Sequence, residues 1–146
     1  AVNALGGVYD PDTGDLVAGP RGDDRTTMHD PMTVLLSPGY QPGTVGPSNT
    51  TIGVVATNGR LDKEQANKMA SVAHDGLALA VRPAHTMSDG DTIFALATGE
   101  LDSPADLNRL LAASVRCVSS AILRGVRRAT GIGGIPGVEE LSAGGA

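Results

Sequence analysis

The chain has 146 residues, of which 40% are hydrophobic but only 2% aromatic, and its formal net charge is −5. This length allows one modest domain, whose core must be built from Ala, Val, Ile and Leu. No basic stripe with aromatic side chains is present, which excludes a typical nucleic-acid-binding surface. A single cysteine excludes an internal disulfide framework, and no apolar run reaches the roughly 18 residues of a membrane span. We therefore expect a soluble cytoplasmic protein with neither a nucleic-acid nor a membrane partner.

The first third of the chain is acidic and irregular. Residues 1–14 predict a short β segment that ends in an Asp/Gly turn. Residues 15–48 show neither helical nor strand periodicity and contain five prolines. Only residues 33–36 could form a short strand or a helical turn there. A structureless loop of this length inside a compact domain is uncommon, which indicates a functional or flexible segment.

Regular patterns begin directly after this segment. Residues 51–57 predict a strand that is apolar on both faces, and hence central in its sheet. Asp62 and Gln65 have the spacing of a capping box, and they predict a helix with a small-residue face that Pro83 ends. Residues 92–98 predict a second buried strand.

A second helix completes the pattern. Ser103 as N-cap and Pro104 at the first helical position predict its start. Cys117 lies on the apolar side of this helix, where we expect inert core. Residues 131–146 are rich in Gly and Ala and predict a loose tail. Residues 50–130 thus predict an α/β unit in the order strand, helix, strand, helix.

The junction between the irregular segment and the first strand carries the most suggestive chemistry. The pair Asn49-Thr50 places a hydroxyl directly after a peptide bond at a loop-to-strand boundary. Attack by that hydroxyl on the preceding carbonyl would cleave the chain and give Thr50 a free α-amine as a built-in base. The alternative is that Thr50 is simply a strand residue, since Thr is favoured there.

Two carboxylates lie at the mouth of the next strand, in the sequence Asp89-Gly90-Asp91. They could orient the Thr50 hydroxyl or ammonium through charge-assisted hydrogen bonds. Together with His85 they could instead bind a metal, although the remaining ligands are not identifiable. The simplest alternative is a loop turn, since Asp and Gly are common turn residues.

Other polar residues give weaker signals. Asn3 lies in a short strand beside a pair of glycines, where a buried amide could donate to an oxyanion or close a turn. His74 and His85 are each expected to be half-buried structural groups, because neither is paired with a recognisable nucleophile motif.

Three separated stretches, residues 2–14, 49–58 and 85–95, resemble the DmpA-type self-processing hydrolases in the same order. That family includes the L-aminopeptidase/D-esterases, the β-peptidyl aminopeptidases and the nylon-oligomer hydrolase NylC. The Asn-Thr junction with an acidic pair is closer to the nylon-hydrolase branch, since the aminopeptidase branch typically has Gly-Ser.

The resemblance implies an αββα sandwich like that of the N-terminal-nucleophile hydrolases, of which this chain supplies only part. It implies that the chain cleaves itself between Asn49 and Thr50 and that Thr50 is the catalytic nucleophile on peptide or amide bonds. By the same resemblance, Asn3 stabilises the oxyanion and Asp89 and Asp91 contact the nucleophile. No metal or other cofactor is implied.

The resemblance also divides the chain. Residues 1–49 correspond to the end of an α-subunit-like region with a long flexible loop, and residues 50–146 to a β-subunit-like region. The expected partners are the missing N-terminal part of the same protein, further copies in a homo-tetramer, and a small peptide or amide substrate. Two alternatives stay open: acyl transfer from the same Thr, as in ornithine acetyltransferases, and a non-catalytic α/β module.

Overall fold

The computed structural model describes residues 1–40, 49–101 and 106–143. These residues form six strands and four helices. The strands are β1 (Val2–Asn3), β2 (Gly7–Tyr9), β3 (Leu16–Ala18), β4 (Thr50–Thr57), β5 (Val81–Arg82) and β6 (Thr92–Ala97). The helices are α1 (Pro31–Leu35), α2 (Lys63–Ala80), α3 (Leu107–Arg127) and α4 (Val138–Ala143).

The described strands form two small sheets. In the first sheet, β4 is central, antiparallel to β1 and parallel to β6. In the second sheet, β2 is central and antiparallel to both β3 and β5. Parallel strands need a crossover connection, and α2 supplies it between β4 and β6. The prediction of a central strand over residues 51–57 is confirmed.

The two faces of the first sheet differ, because side chains alternate along each strand. On one face, Val55 and Ile93 are buried in the core with side chains of α2 and α3. On the other face four apolar side chains are exposed by 50–58%, namely Ile52, Val54, Phe94 and Leu96. The prediction of a second buried strand over residues 92–98 is therefore wrong for the described structure, in which both helices lie on the same side of the sheet.

Helix α2 begins at the predicted capping box. The Asp62 carboxylate accepts the Gln65 N–H at 2.8 Å, and the Gln65 side chain accepts the Asp62 N–H at 3.1 Å. The helix then turns a narrow apolar face, which includes Ala73, Leu77 and Ala80, towards the core. Small side chains on this face let α3 approach closely.

Gly76 marks the point of closest approach between the two long helices. A Cβ atom at Gly76 would lie 2.2 Å from the carbonyl oxygen of Val115 on α3. The backbone of α3 therefore occupies the space that any side chain at position 76 would need, and this contact fixes how α2 and α3 cross.

The start of α3 differs from the prediction. The helix begins at Leu107 with Asp106 as its N-cap, so the prediction of a Ser103 cap is wrong. Both Ser103 and Pro104 lie outside the described residues. Cys117 is exposed rather than buried, since the buried face of α3 is formed by positions such as Val118 and its neighbours one turn away.

Two segments that the sequence predicts to be irregular, residues 15–48 and 131–146, contain helices or strands. Strand β3 and helix α1 lie within residues 15–40, and α1 agrees with the helical turn predicted at 33–36. Residues 41–48 lie outside the described structure. The predicted loose tail includes α4, where the Glu140 carboxylate accepts the N–H groups of Gly131 and Gly137 at 3.0 and 2.9 Å. That tail prediction is wrong.

The architecture is a mixed α/β unit, as the sequence predicts. Its core lies between the first sheet and the helix pair α2 and α3, with Val8 and Val17 of the second sheet at one end. Across the described ranges, no helix combines the length and the apolar character needed to cross a membrane.

Substitution of Gly76 tests the helix contact. Gly76→Ala should lower the free energy of unfolding by about 2–3 kcal/mol, because the new methyl group collides with the α3 backbone. Gly125 in α3 is the matched control, since its added Cβ would meet nothing within 4 Å. Gly125→Ala should instead raise stability by up to about 1 kcal/mol through helix propensity. Equal effects in chemical denaturation would contradict the described packing.

Candidate functional site

The site is built by the register between β4 and β6. From Ile52 to Thr57, each β4 residue pairs with the residue 40 positions later, Ile52 with Thr92 and Thr57 with Ala97. The isolated bridge between Asn49 and Asp89 continues the same offset beyond the end of the strands. The predicted junction therefore lies beside the acidic turn.

Both backbone groups of Asn49 are held by this turn. The Asn49 N–H donates to the carbonyl oxygen of Ser88 at 3.2 Å, and the Gly90 N–H donates to the carbonyl oxygen of Asn49 at 2.8 Å. Main-chain hydrogen bonds to the turn thus hold both backbone groups of the last residue before the predicted cleavage point.

The Thr50 hydroxyl points at the same carbonyl group. Its Oγ1 donates to the Asn49 oxygen at 2.7 Å, and the residue is half-buried. Two donors, the hydroxyl and the Gly90 N–H, therefore converge on one carbonyl oxygen. The Gly90 N–H is placed to stabilise the negative charge that attack on this carbonyl would create, while the hydroxyl is the group whose oxygen would attack.

Gly90 is the residue type that this arrangement needs. A Cβ atom at position 90 would lie 2.9 Å from Thr50 Oγ1 and 3.8 Å from the Asn49 oxygen. The absence of a side chain therefore makes room for the hydroxyl while leaving the backbone N–H available as a donor.

The two carboxylates of the turn have different tasks. Asp91 Oδ1 accepts the Thr51 N–H at 2.7 Å, and only 4% of the Asp91 side chain is exposed. Asp89 Oδ2 instead accepts the N–H and the hydroxyl of Thr86 at 2.9 and 2.8 Å, which closes the preceding loop. The described hydrogen bonds of both carboxylates go to these neighbours, so direct contact with the Thr50 hydroxyl stays a prediction.

Asn3 of β1 lies opposite Thr50 of β4, on the side of β4 that is not paired with β6. The register of β1 pairs Asn3 with Thr50 and Val2 with Thr51. Directly opposed residues of antiparallel strands project their side chains to the same face of a sheet, so Asn3 and Thr50 share one face. The backbone donor to the Asn49 carbonyl oxygen is the Gly90 N–H. The oxyanion role of Asn3 stays a prediction.

A pair of histidines adjoins Asp91. His85 Nε2 lies 3.9 Å from Asp91 Oδ2 and 2.9 Å from Nδ1 of His74 on α2. His85 also has a φ of 57°, which is uncommon for a residue with a side chain. Burial lowers the pKa of His74, the neighbouring His85 lowers it further, and the charges of Asp91 and Asp75 oppose this.

Sequence reasoning found the junction and the acidic pair but missed two features. It treated Gly90 as a turn residue and each histidine as an isolated structural group. The signal for Gly90 is that Asn49-Thr50-Thr51 and Asp89-Gly90-Asp91 both lie at the beginnings of strands, which brings them together once these strands pair in parallel. The histidine pair has no such signal, because His74 meets His85 only through the position of α2.

The alternative of a metal site finds no support in the described ranges. Asp89 and Asp91 direct their carboxylates to different backbone segments, and no group of three or more His, Cys, Asp or Glu side chains there is placed to hold a metal ion. An apolar groove of about 410 Å³ lies on the helix side of β4, lined by Val55, Leu77 and Val118 among others. Thr51, the residue after Thr50, is also part of its lining, and the groove belongs to the space between sheet and helices.

A hydroxyl and a backbone N–H directed at one peptide carbonyl oxygen, beside a buried carboxylate, form an arrangement that suits hydrolytic chemistry. The chain belongs to peptidase family S58, whose model matches residues 13–139. This is the DmpA family, so the resemblance seen in the motifs is confirmed.

Curated relatives are similar over different parts of the chain. An uncharacterized aminopeptidase of Mycobacterium bovis is 36% identical over 98% of this chain and 46% of its own length. One from Mycobacterium leprae is 42% identical over 60% of this chain and 28% of its own length. The 6-aminohexanoate-oligomer endohydrolase of Paenarthrobacter ureafaciens is 41% identical over 38% of this chain and 16% of its own length. The chain thus spans about half the length of the relatives that it matches along its whole extent.

The lowered pKa of His74 predicts how stability depends on pH. The folded chain binds this proton less readily than the unfolded chain, whose histidine titrates near the ordinary value of 6.5. The free energy of unfolding should therefore be unaffected above pH 6.5 and fall as the pH drops through the folded pKa. His74→Gln should make the decrease between about pH 7 and pH 5 smaller in urea titrations. A variant profile that only shifts in parallel with the wild-type profile would contradict this.

Proposed function

We propose that the chain cleaves its own peptide bond between Asn49 and Thr50, and that Thr50 then acts as an N-terminal nucleophile on peptide or amide bonds. The observation that carries the proposal is the convergence of the Thr50 hydroxyl, at 2.7 Å, and the Gly90 N–H, at 2.8 Å, on the Asn49 carbonyl oxygen. Membership of a peptidase family, with relatives named aminopeptidase and oligomer endohydrolase, supports a hydrolase of amide bonds.

Self-cleavage begins with an acyl shift. Thr50 Oγ1 adds to the Asn49 carbonyl carbon, the C–N bond breaks, and the hydroxyl proton passes to the nitrogen. The product is an ester of Asn49 with Thr50, which now has a free amine. Water then adds to the ester, the C–O bond breaks, and Asn49 leaves as a carboxylate while Thr50 regains its hydroxyl. Negative charge develops on the Asn49 oxygen in both steps, and the Gly90 N–H already donates to that atom.

The same groups would act on substrates. The freed α-amine of Thr50 lies next to its own hydroxyl and serves as the general base for attack on an amide carbonyl. Asp91 holds the N–H of Thr51 at 2.7 Å and so fixes the residue that follows the nucleophile. Asn3, which shares a sheet face with Thr50, is our candidate for a second oxyanion donor, and Asp89 keeps the loop in place.

The rest of the proposed fold follows from the open face of the first sheet. Ile52, Val54, Phe94 and Leu96 form an apolar patch on this face, and large exposed patches of this kind mark contact surfaces. We propose that a further sheet, distinct from the β3-β2-β5 sheet, covers this patch and completes an αββα sandwich. Thr50 would then lie at the edge of the space between the two sheets.

The remainder of the site would come from outside the chain described here. One candidate source is an N-terminal part of the same protein, since the similarity covers 46% of the length of the Mycobacterium bovis relative. We propose that this part supplies further site residues and that the whole protein assembles as a homo-tetramer on small peptide or amide substrates. Cleavage would divide the present chain into residues 1–49 and 50–146.

Substitution of Thr50 tests the proposal in the whole protein. Thr50→Ala should remain uncut and lose amide hydrolysis by about a thousandfold or more, because the nucleophile is gone. Thr50→Ser keeps a hydroxyl and should still be cut at the same bond. Intact mass after prolonged incubation measures cleavage, and a colorimetric amide assay measures hydrolysis.

The matched pair separates chemistry from folding. Measured before any cleavage, Thr50→Ala and Thr50→Ser should have the same thermal stability to within about 1 kcal/mol, since they differ only in one half-buried hydroxyl. Cleavage of Thr50→Ala at the same bond, or hydrolysis at the wild-type rate, would refute the role of this hydroxyl.

A further inference from the structure

The turn that holds the junction binds Asn49 as a sheet binds one residue of an added strand. The Ser88 carbonyl oxygen accepts its N–H at 3.2 Å, and the Gly90 N–H donates to its carbonyl oxygen at 2.8 Å. The bridge between Asn49 and Asp89 is parallel. Both contacts use atoms that every L-α-amino acid has in a peptide, so this pair of hydrogen bonds does not depend on the Asn side chain.

The chemistry of self-cleavage makes these two hydrogen-bonding groups relevant to substrates, which rests on the function proposed above. The ester formed by the acyl shift joins the Asn49 carbonyl to Thr50 Oγ1. An amide substrate attacked by the same oxygen gives an ester of the same connectivity, as its C–N bond breaks and the amine leaves with a proton. Asn49 is thus the first acyl group that Thr50 carries, and its contacts are those of an acyl group in place for hydrolysis.

We infer that the Ser88 carbonyl and the Gly90 N–H form the acyl subsite of the processed protein. After the Asn49 carboxylate departs, both groups are free to accept an extended L-α-amino acyl unit. The α-N–H of that unit donates to Ser88, and its reacting carbonyl accepts from Gly90. Because the N–H of Asn49 is itself part of a peptide bond, the subsite takes acyl units whose nitrogen carries further chain.

A pair of substrates that differ in one atom tests the subsite. N-acetyl-L-alanine p-nitroanilide has the α-N–H, whereas O-acetyl-L-lactate p-nitroanilide has an ester oxygen in its place. With the whole, self-cleaved protein, kcat/KM should be about tenfold or more higher for the alanine compound. The lactate oxygen cannot donate to the Ser88 carbonyl oxygen, and the two oxygens would repel each other at that distance.

The free-amine compound L-alanine p-nitroanilide completes the experiment and separates the two proposals. Values of kcat/KM within twofold for the N-acetyl and O-acetyl compounds would overturn the subsite and leave the hydrolase intact. Hydrolysis of L-alanine p-nitroanilide alone would also overturn it, because the subsite must accept an acylated nitrogen. Failure to hydrolyse any of the three by protein with a free Thr50 terminus would remove the proposed function, and the subsite with it.

Discussion

The parallel pairing of β4 with β6 is the constraint on which the site depends. Its offset of 40 residues brings Asn49 beside Asp89 and holds Thr51 on Asp91. A slip of one residue would turn every β4 side chain to the opposite face of the sheet. The burial of Val55 and Ile93 between sheet and helices opposes such a slip, so the core holds the reacting groups in register.

The N-terminal segment is tied to the same framework by several kinds of contact. Strand β1 pairs with β4, and Val8 and Val17 are part of the core. Two ion pairs join the acidic turn of this segment to α3, namely Asp10 with Arg127 at 2.7 Å and Asp12 with Arg116 at 3.1 Å. Surface ion pairs of this kind contribute little to stability by themselves. Cleavage after Asn49 would therefore leave residues 1–40 held by core burial and strand pairing, which keeps Asn3 opposite Thr50.

Local signals predicted what depends on local structure. The capping box of Asp62 and Gln65, the central strand and the small-residue face of α2 follow from spacing and side-chain size, and the structure has them. Where two local signals compete, spacing does not decide: Ser103 and Asp106 are both good caps, and α3 uses Asp106. The role of Gly90 was not predictable in this way, because it follows from pairing between residues that are distant in sequence.

Gly90 gives the most direct test of the proposed self-cleavage, because its N–H and its empty side-chain position both serve the junction. In the whole protein, the appearance of a new Thr50 amino terminus can be timed by N-terminal sequencing. Gly90→Ala should slow it by about a hundredfold, since displacement of a reacting group by about 1 Å has that effect. Gly53→Ala is the control, because its added Cβ would meet only Ile93, at an ordinary 3.6 Å. Equal rates of cleavage in the two variants would contradict the account.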